Sequence, residues 1–425
     1  MRPYLRAANV TWRGIDLSDV LEMDFRPSEF ETYELRPGDI LLAEASGSAS
    51  EVGKPAVWRG ERKGVCFQNT LIRVRATDPA LVPFLHWHFQ RDAQTGRFAS
   101  ASRGVGIHHL GAETMSGWAI AVPPLPEQSR IVEALETQFS RLDAAEANLA
   151  NSQTRLEQFA SQVLSQFVCP GGVVSEWGMA SLPPSWEWRR ADDVSDKITK
   201  GTTPPAAAMS AVDSGVPFLK IQHLNVRGTI KHSDRPVFVP RDVHQTILAR
   251  SIVRPGDVLM NIVGPPLGQV GIVSDDYPEW NINQAIARFR PHPGVRPGYL
   301  AAVMRTAPVL RWLLRRAKTT SGQVNLTLET CRALPIPVPP ESAQADICAT
   351  SDTIDSQLSA AEASVVAARR RCRAIRQSLL RLAFDGGLVP QDPLDEPASV
   401  LVERIRRART AETSAPKKMP VRSRR

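Results

Sequence analysis

The sequence has little cysteine, and none of it falls in a paired motif. Cys66, Cys169, Cys331, Cys348 and Cys372 are odd in number and include no Cys-x-x-Cys, which argues against a disulfide framework and a zinc ribbon. No apolar run reaches transmembrane length and no secretory signal follows Met1, so a cytoplasmic location without membrane contact is the expectation. Catalytic signatures are missing too. There is no Gly-x-x-x-x-Gly-Lys-Ser/Thr phosphate loop, no Gly-x-Ser-x-Gly elbow, and no Asn/Asp-Pro-Pro-aromatic segment of the amino-methyltransferase kind. His86-Trp87-His88 and His108-His109 have no carboxylate or thiolate cluster beside them, and i and i+2 diverge on a helix. Packing or surface roles are expected for these histidines, and no metal.

What is present points to a large, basic, multidomain chain. At 425 residues two or more cores are expected. Hydrophobic residues make up 42% and charged residues 23%, as in globular proteins, and the net charge of +8 favours an anionic partner.

The longest uninterrupted stretch starts at Pro123-Pro124-Leu125-Pro126-Glu127-Gln128 and meets no further proline or glycine until Pro170-Gly171-Gly172. Leu135, Leu142, Leu149, Leu156 and Val163 recur every seventh residue, with a mixed companion seam at Gln138, Ala145, Ser152, Phe159 and Gln166. This is the pattern of a long helix packed lengthwise on a partner helix. A second stretch, from Pro339-Pro340 to Gly386-Gly387, repeats it. Its seams are Leu358, Val365, Cys372 and Leu379, and Ile354, Ala361, Ala368, Ile375 and Leu382. Ala144-Ala145-Glu146 falls on Ala360-Ala361-Glu362 and Ile131 on Ile347.

The repeat extends beyond the helices. Leu35-Arg36-Pro37-Gly38-Asp39-Ile40-Leu41 reads as a turn feeding a buried strand, and Val253-Arg254-Pro255-Gly256-Asp257-Val258-Leu259 repeats it. Gln68-Asn69 before Arg73-Val74-Arg75 matches Asn283-Gln284 before Arg288-Phe289-Arg290. Leu81 to Gln90 and Tyr299 to Lys318 read as helices inside strand-rich units. Trp118 to Val122 and Leu334 to Val338 read as exit strands. Pro217-Phe218-Leu219-Lys220 aligns with Pro3-Tyr4-Leu5-Arg6, but only the second unit has a leader before it, from Leu182 to Pro204. A short helix over about 397–409 and a basic, disordered end are expected after the second long helix.

Lys220, Gln222, His223 and Asn225 alternate with apolar residues, as on one face of a strand, and Arg6, Asn9 and Arg13 occupy the matching region. Arginine, asparagine and glutamine can pair bidentately with base edges and lysine binds phosphate, although a solvated strand face looks the same.

Two globular units, each followed by a prolyl lead-in and a long helix, resemble the specificity subunit of type I restriction-modification enzymes. The segments that carry the resemblance are Leu182-Pro-Pro-Ser-Trp186, Val122-Pro-Pro-Leu-Pro-Glu-Gln128-Ser-Arg-Ile131, and Phe384-Asp-Gly-Gly-Leu-Val-Pro-Gln-Asp-Pro393 with Glu396-Pro397-Ala398. Glu341-Ser342-Ala343-Gln344 departs from the Glu-Gln pair of the first lead-in, and the first unit departs by its missing leader.

The resemblance implies an α+β fold with a pseudo-two-fold repeat. Target recognition domain 1 would span 1–122, spacer helix 1 123–172, target recognition domain 2 173–338, spacer helix 2 339–387, and a terminal segment 388–425. The two spacer helices would form an antiparallel coiled coil that fixes the gap between DNA half-sites. It further implies a non-catalytic subunit without a cofactor of its own. Its partners would be double-stranded DNA, two methyltransferase subunits carrying S-adenosylmethionine and, as a further candidate, a restriction endonuclease/translocase subunit using ATP and Mg. Besides the residues named above, Lys54, Arg103, His108, Lys197, Lys200, Thr202, Lys318, Gln323 and Asn325 are candidates for DNA contact. The competing readings are a nuclease or methyltransferase with an unseen motif, and an adaptor that binds protein only.

Overall fold

The computed structural model describes residues 1–46, 48, 51–102, 108–169, 181–211, 215–225, 228–320 and 323–414. The expected basic, disordered end falls on 415–425, outside the described residues. The chain divides into two compact units: Met1–Asn148 with Ala367–Arg425, and Leu149–Val366.

Unit 2 is built on two four-stranded sheets. In one, the order is Ser195–Lys200, Ile286–Pro291, Val258–Asn261, Val270–Ile272, all antiparallel. In the other, Val216–Leu219 lies parallel to Trp280–Ile282, with Phe238–Val239 and Ile252–Val253 on the outer edges. Helices Pro297–Met304 and Ala307–Arg316 cover the first sheet through Leu300, Val303, Val309 and Leu313. They replace the single helix expected over Tyr299 to Lys318. The chain breaks at Arg305-Thr306 because Pro308 sits in the first turn of the next helix, where its ring is tolerated.

Unit 1 repeats the plan with fewer strands. Its sheets are Pro55–Val57, Ile40–Ala43, Leu71–Val74, and Leu21–Met23, Arg2–Leu5, Cys66–Phe67. Arg2–Leu5 and Cys66–Phe67 form the parallel pair, as Val216–Leu219 and Trp280–Ile282 do. In unit 2 the leader supplies Ser195–Lys200, and also Glu187–Arg190, which pairs with the exit strand Pro335–Val338. Among the described residues unit 1 has no counterpart of either strand, so Leu71–Val74 is an edge and Trp118 to Val122 forms no strand. Helix Ala398–Ser414 sets Leu401, 1% exposed, and Ile405 on the same apolar cluster as Trp118, Ile120 and Val122.

The two long helices are Leu125–Val168 and Glu341–Phe384, each of 44 residues. In unit 1, Ile131, Leu135 and Phe139 of the first pack with Leu380 and Ala383 of the second, in antiparallel sense. In unit 2, Leu164 and Val168 share a core with Ile347 and Ile354. The seam differs from the expected one in two places. On the first helix the companion of Leu135, Leu142, Leu149 and Leu156 lies four residues on rather than three, at Phe139, Glu146, Gln153 and Ala160. Both offsets lie on one helix face, and size decides between them. Phe139 meets Trp87 edge-on at 4.7 Å, whereas Ala145 and Ser152 fill nothing. The second difference is drift. A helix of 3.6 residues per turn rotates away from a strict seven-residue repeat, which turns Leu156 and Ile375 out to 37% and 47% exposure. These two leave the interface set. Val163, Val365 and Leu379 remain partly buried and Leu358 is 8% exposed. Arg376 takes the place of Ile375, lying over the Phe139 ring at 5.2 Å and pairing with Asp143 at 2.6 Å.

No described helix is long and apolar enough to cross a membrane.

This register sets a test. Leu358→Lys would bury an ammonium and cost about 3 kcal/mol or more, whereas Ile375→Lys should change stability by about 0.5 kcal/mol at most. Thermal melts of the two variants check this, and equal losses would contradict the register.

His88 supplies a second test. It is 1% exposed, packed 5.1 Å from the Phe384 ring, and burial pushes its pKa down to about 4, as it does for His86. The folded value lies below the unfolded one. Stability is therefore fully present above about pH 6.5 and declines as pH falls toward 4, by up to about 3 kcal/mol for His88. Urea midpoints at pH 7.5 and 5.0 should differ for the parent, and should differ less for His88→Leu.

Candidate nucleic-acid interface

The candidate residues of unit 2 gather where its parallel strand pair ends. Asn283 donates its backbone N–H to Leu219 O at 3.0 Å, and Thr202 donates to Ile282 O at 3.1 Å. The Ile282-Asn283 backbone therefore lies between Leu219-Lys220 on one side and Gly201-Thr202 on the other. A side chain at Gly201 would sit 2.0 Å from Ile282 O, so only glycine permits this approach. From here the ladder continues. Ile262 donates to Ala285 O at 2.8 Å and Leu326 donates to Ile262 O at 2.9 Å, which brings in the hairpin Lys318–Thr320 and Gln323–Asn325. Lys318 pairs with Asn325, and Gln323 lies two residues before Asn325, so these three residues stand on one face of the hairpin.

Unit 1 builds the same ladder. Gln68 donates to Leu5 O at 2.9 Å, Glu44 to Thr70 O at 3.0 Å, and Leu110 to Glu44 O at 2.8 Å. His108–His109 pairs with Ala45–Ser46 where Asn325 and Val324 pair with Val263 and Gly264.

The expected strand carrying Lys220 to Asn225 is not a strand. Val216–Leu219 ends before it, and Ile221–His223 is a single 3-10 turn. The alternation comes from that turn, in which His223 points inward. His223 is 1% exposed; its Nδ1 accepts the Lys220 N–H at 3.0 Å and its Nε2 donates to Arg235 O at 2.9 Å. Burial lowers its pKa and keeps the ring neutral, which the Nδ1 acceptor role requires. Asn9 does the same work in unit 1. It is 3% exposed, accepts the Arg6 N–H at 3.0 Å, and donates from Nδ2 to Asp16 O and Asp19 O, both at 2.9 Å. His223 and Asn9 are therefore corrected from base-contact candidates to residues that shape the turn, because their polar atoms are used inside it.

The other candidates sort by partner. Arg6 is ion-paired with Asp19 and Lys54 with Glu51, beside the Trp12 ring. Asn225 closes a turn by donating from Nδ2 to Thr229 Oγ1 at 2.6 Å. Arg13 is exposed at the tip of the Val10–Thr11 and Gly14–Ile15 hairpin. Lys197, Lys200, Gln222, Lys318 and Gln323 are exposed, and Thr202, Lys220 and Asn325 are half-buried. Arg103 and the Ser321-Gly322 loop lie outside the described residues, and of His108 only the strand backbone is described. The sequence reading missed Asn283 and Gln68. Both follow the parallel strand at the centre of the ladder, and Asn283 Oδ1 is buried without a hydrogen-bond partner among the described residues. The matched amide pairs Gln68-Asn69 and Asn283-Gln284 were the available signal.

No family model matches the chain. The specificity subunit of the type I restriction enzyme EcoKI from Escherichia coli strain K12 is 23% identical, over 96% of this chain and 89% of its own length. That of EcoBI from Escherichia coli is 24% identical, over 72% of this chain and 68% of its own length. The chain is similar, along most of its length, to type I restriction enzyme specificity subunits. The fold agrees. A chain from a study of complex assembly and conformational transition of the type I R-M system superposes with a TM-score of 0.65 at 20% identity, covering 91% of this chain and 92% of that one. The chain itself shows two polar platforms of the same backbone construction, one in each unit.

The two roles assigned at the turn separate by experiment. His223→Ala should lower the melting temperature by several degrees, because it leaves the Lys220 N–H and Arg235 O without partners, at about 1–3 kcal/mol. Gln222→Ala should leave the melt unchanged and alter only ligand binding. Equal melts for the two variants would remove the distinction.

Proposed function

We propose that the chain is the DNA-reading specificity subunit of a type I restriction-modification system. Each globular unit reads one half of a bipartite target, and the paired long helices set the gap and dock methyltransferase subunits. The observation that carries this reading is the duplicated ladder, which presents polar side chains at the same backbone positions in both units of one chain. Two readers in one polypeptide divide the discrimination between two half-sites.

Specificity subunits of this family are non-catalytic. In this reading S-adenosylmethionine is held by the partner methyltransferase, and ATP and Mg by a restriction subunit where one joins. Basic side chains suit the remaining task. Lys197, Lys200, Lys220 and Lys318 have no ion-pair partner among the described residues, so phosphate contact breaks no internal pair.

The test is co-expression with the adjacent methyltransferase gene, followed by genome-wide mapping of modified bases. A bipartite modified sequence is expected. In the Lys318→Ala, Gln323→Ala, Asn325→Ala triple variant one half-site should persist and the other should relax, with about tenfold or greater loss of discrimination per lost base contact. An intact complex that leaves DNA unmodified and unbound would favour the adaptor reading instead.

A further inference from the structure

The second long helix carries Arg369, Arg370, Arg371, Arg373 and Arg381, all exposed and none ion-paired among the described residues. Asp143 and Glu146 of the first helix bind Arg376, at 2.6 and 3.4 Å. Arg376 differs from the others in pointing into the helix pair, with 15% of its side chain exposed.

The free arginines are not spread evenly. Positions 370, 373, 377 and 381 follow the three-four spacing of one helix face, on the side away from buried Cys372, and Arg369 flanks it. The exposed apolar residues Ile375 and Leu382 lie on the other flank, with Arg371. A protein-docking patch needs an apolar or aromatic centre. The Arg370 face lacks one between 369 and 381 and offers unpaired, permanently charged guanidinium groups, which is the composition that binds phosphate.

We infer that the Arg369, Arg370, Arg373 and Arg381 face of this helix binds the phosphates of duplex DNA, without reading sequence. The inference rests on the DNA-reading function above and adds a third contact to the two polar platforms. Each phosphate neutralised releases counterions, so the face contributes to the salt dependence of binding and not to the choice of target.

The experiment compares the full chain, in complex with its methyltransferase, with the R369Q, R370Q, R373Q, R381Q quadruple variant. Binding to a duplex containing the target and to an unrelated duplex is measured across a salt series. The variant should weaken both duplexes alike, by about tenfold or more near 0.1 M salt. Its plot of log K against log salt should be shallower by about 2–4. The Arg→Lys version should keep the parent slope, and the modified sequence should be the same in all three. Equal slopes and affinities for parent and glutamine variant would overturn the inference. So would loss of methyltransferase co-purification from the glutamine variant, which would place a protein on this face. A parent complex that binds no duplex would instead sink the DNA-reading function itself.

Discussion

A buried aspartate at the end of a central strand is the constraint on which each unit depends. In unit 1, Asp39 accepts the Arg36 backbone N–H at 2.8 Å and a two-pronged contact from Arg75, at 2.6 and 2.7 Å. In unit 2, Asp257 accepts the Arg254 N–H at 2.8 Å and Arg290 at 2.7 Å from both nitrogens. Gly38 and Gly256 turn the chain with φ of +94° and +86°, a conformation favourable only to glycine. The carboxylate thus ties its own turn to the neighbouring strand and fixes the register of Ile40–Ala43 on Leu71–Val74, and of Val258–Asn261 on Ile286–Pro291. Removing one partner would leave a buried charge uncompensated, at about 3–5 kcal/mol. The far ends of the same strands run into the polar platform. A slip of one residue would turn every platform side chain to the opposite face.

That constraint explains which parts were legible in the sequence. The Arg-Pro-Gly-Asp turns, the buried run after each, and the arginine two residues past each inner strand position are local or strictly repeated, so one sequence displays them. The long helices were legible by their proline and glycine limits and by Leu135, Leu142 and Leu149. The companion seam was not. An offset of three and an offset of four both satisfy a heptad, and Phe139 is selected only by Trp87, which lies far away in sequence. The turn at Lys220 to Asn225 was misread for a related reason. Alternation over five residues fits a strand and a 3-10 turn equally, until the bonds of His223 to Lys220 and Arg235 are seen.

The cations divide by whether they have a carboxylate partner. The arginines Arg75, Arg290 and Arg305 are held by Asp39, Asp257 and Asp355. Their flat, forked groups match a carboxylate and set strand or helix position. Lys197, Lys200 and Lys318 of unit 2 stay on the surface without such partners among the described residues. A positive sequence charge of +8 could not distinguish these two populations. It takes the pairing to show which cations are committed to the fold and which are available to a polyanion.

The two units also show how a polar platform can vary without loss of its frame. Asn9 Oδ1 and His223 Nδ1 accept the same backbone N–H, that of Arg6 and that of Lys220, each at 3.0 Å. An amide and a neutral imidazole are unlike in size and titration, yet each presents one acceptor inward and a donor beyond it. The turn needs that acceptor and nothing more specific. Outward positions beside it are free of the requirement, so Arg6 stands where Lys220 does and Gln68 where Asn283 does. The ladder of backbone bonds holds these positions at the end of the parallel strands whatever side chain they carry. The outward side chains can therefore change by substitution while stability is set by the inward ones.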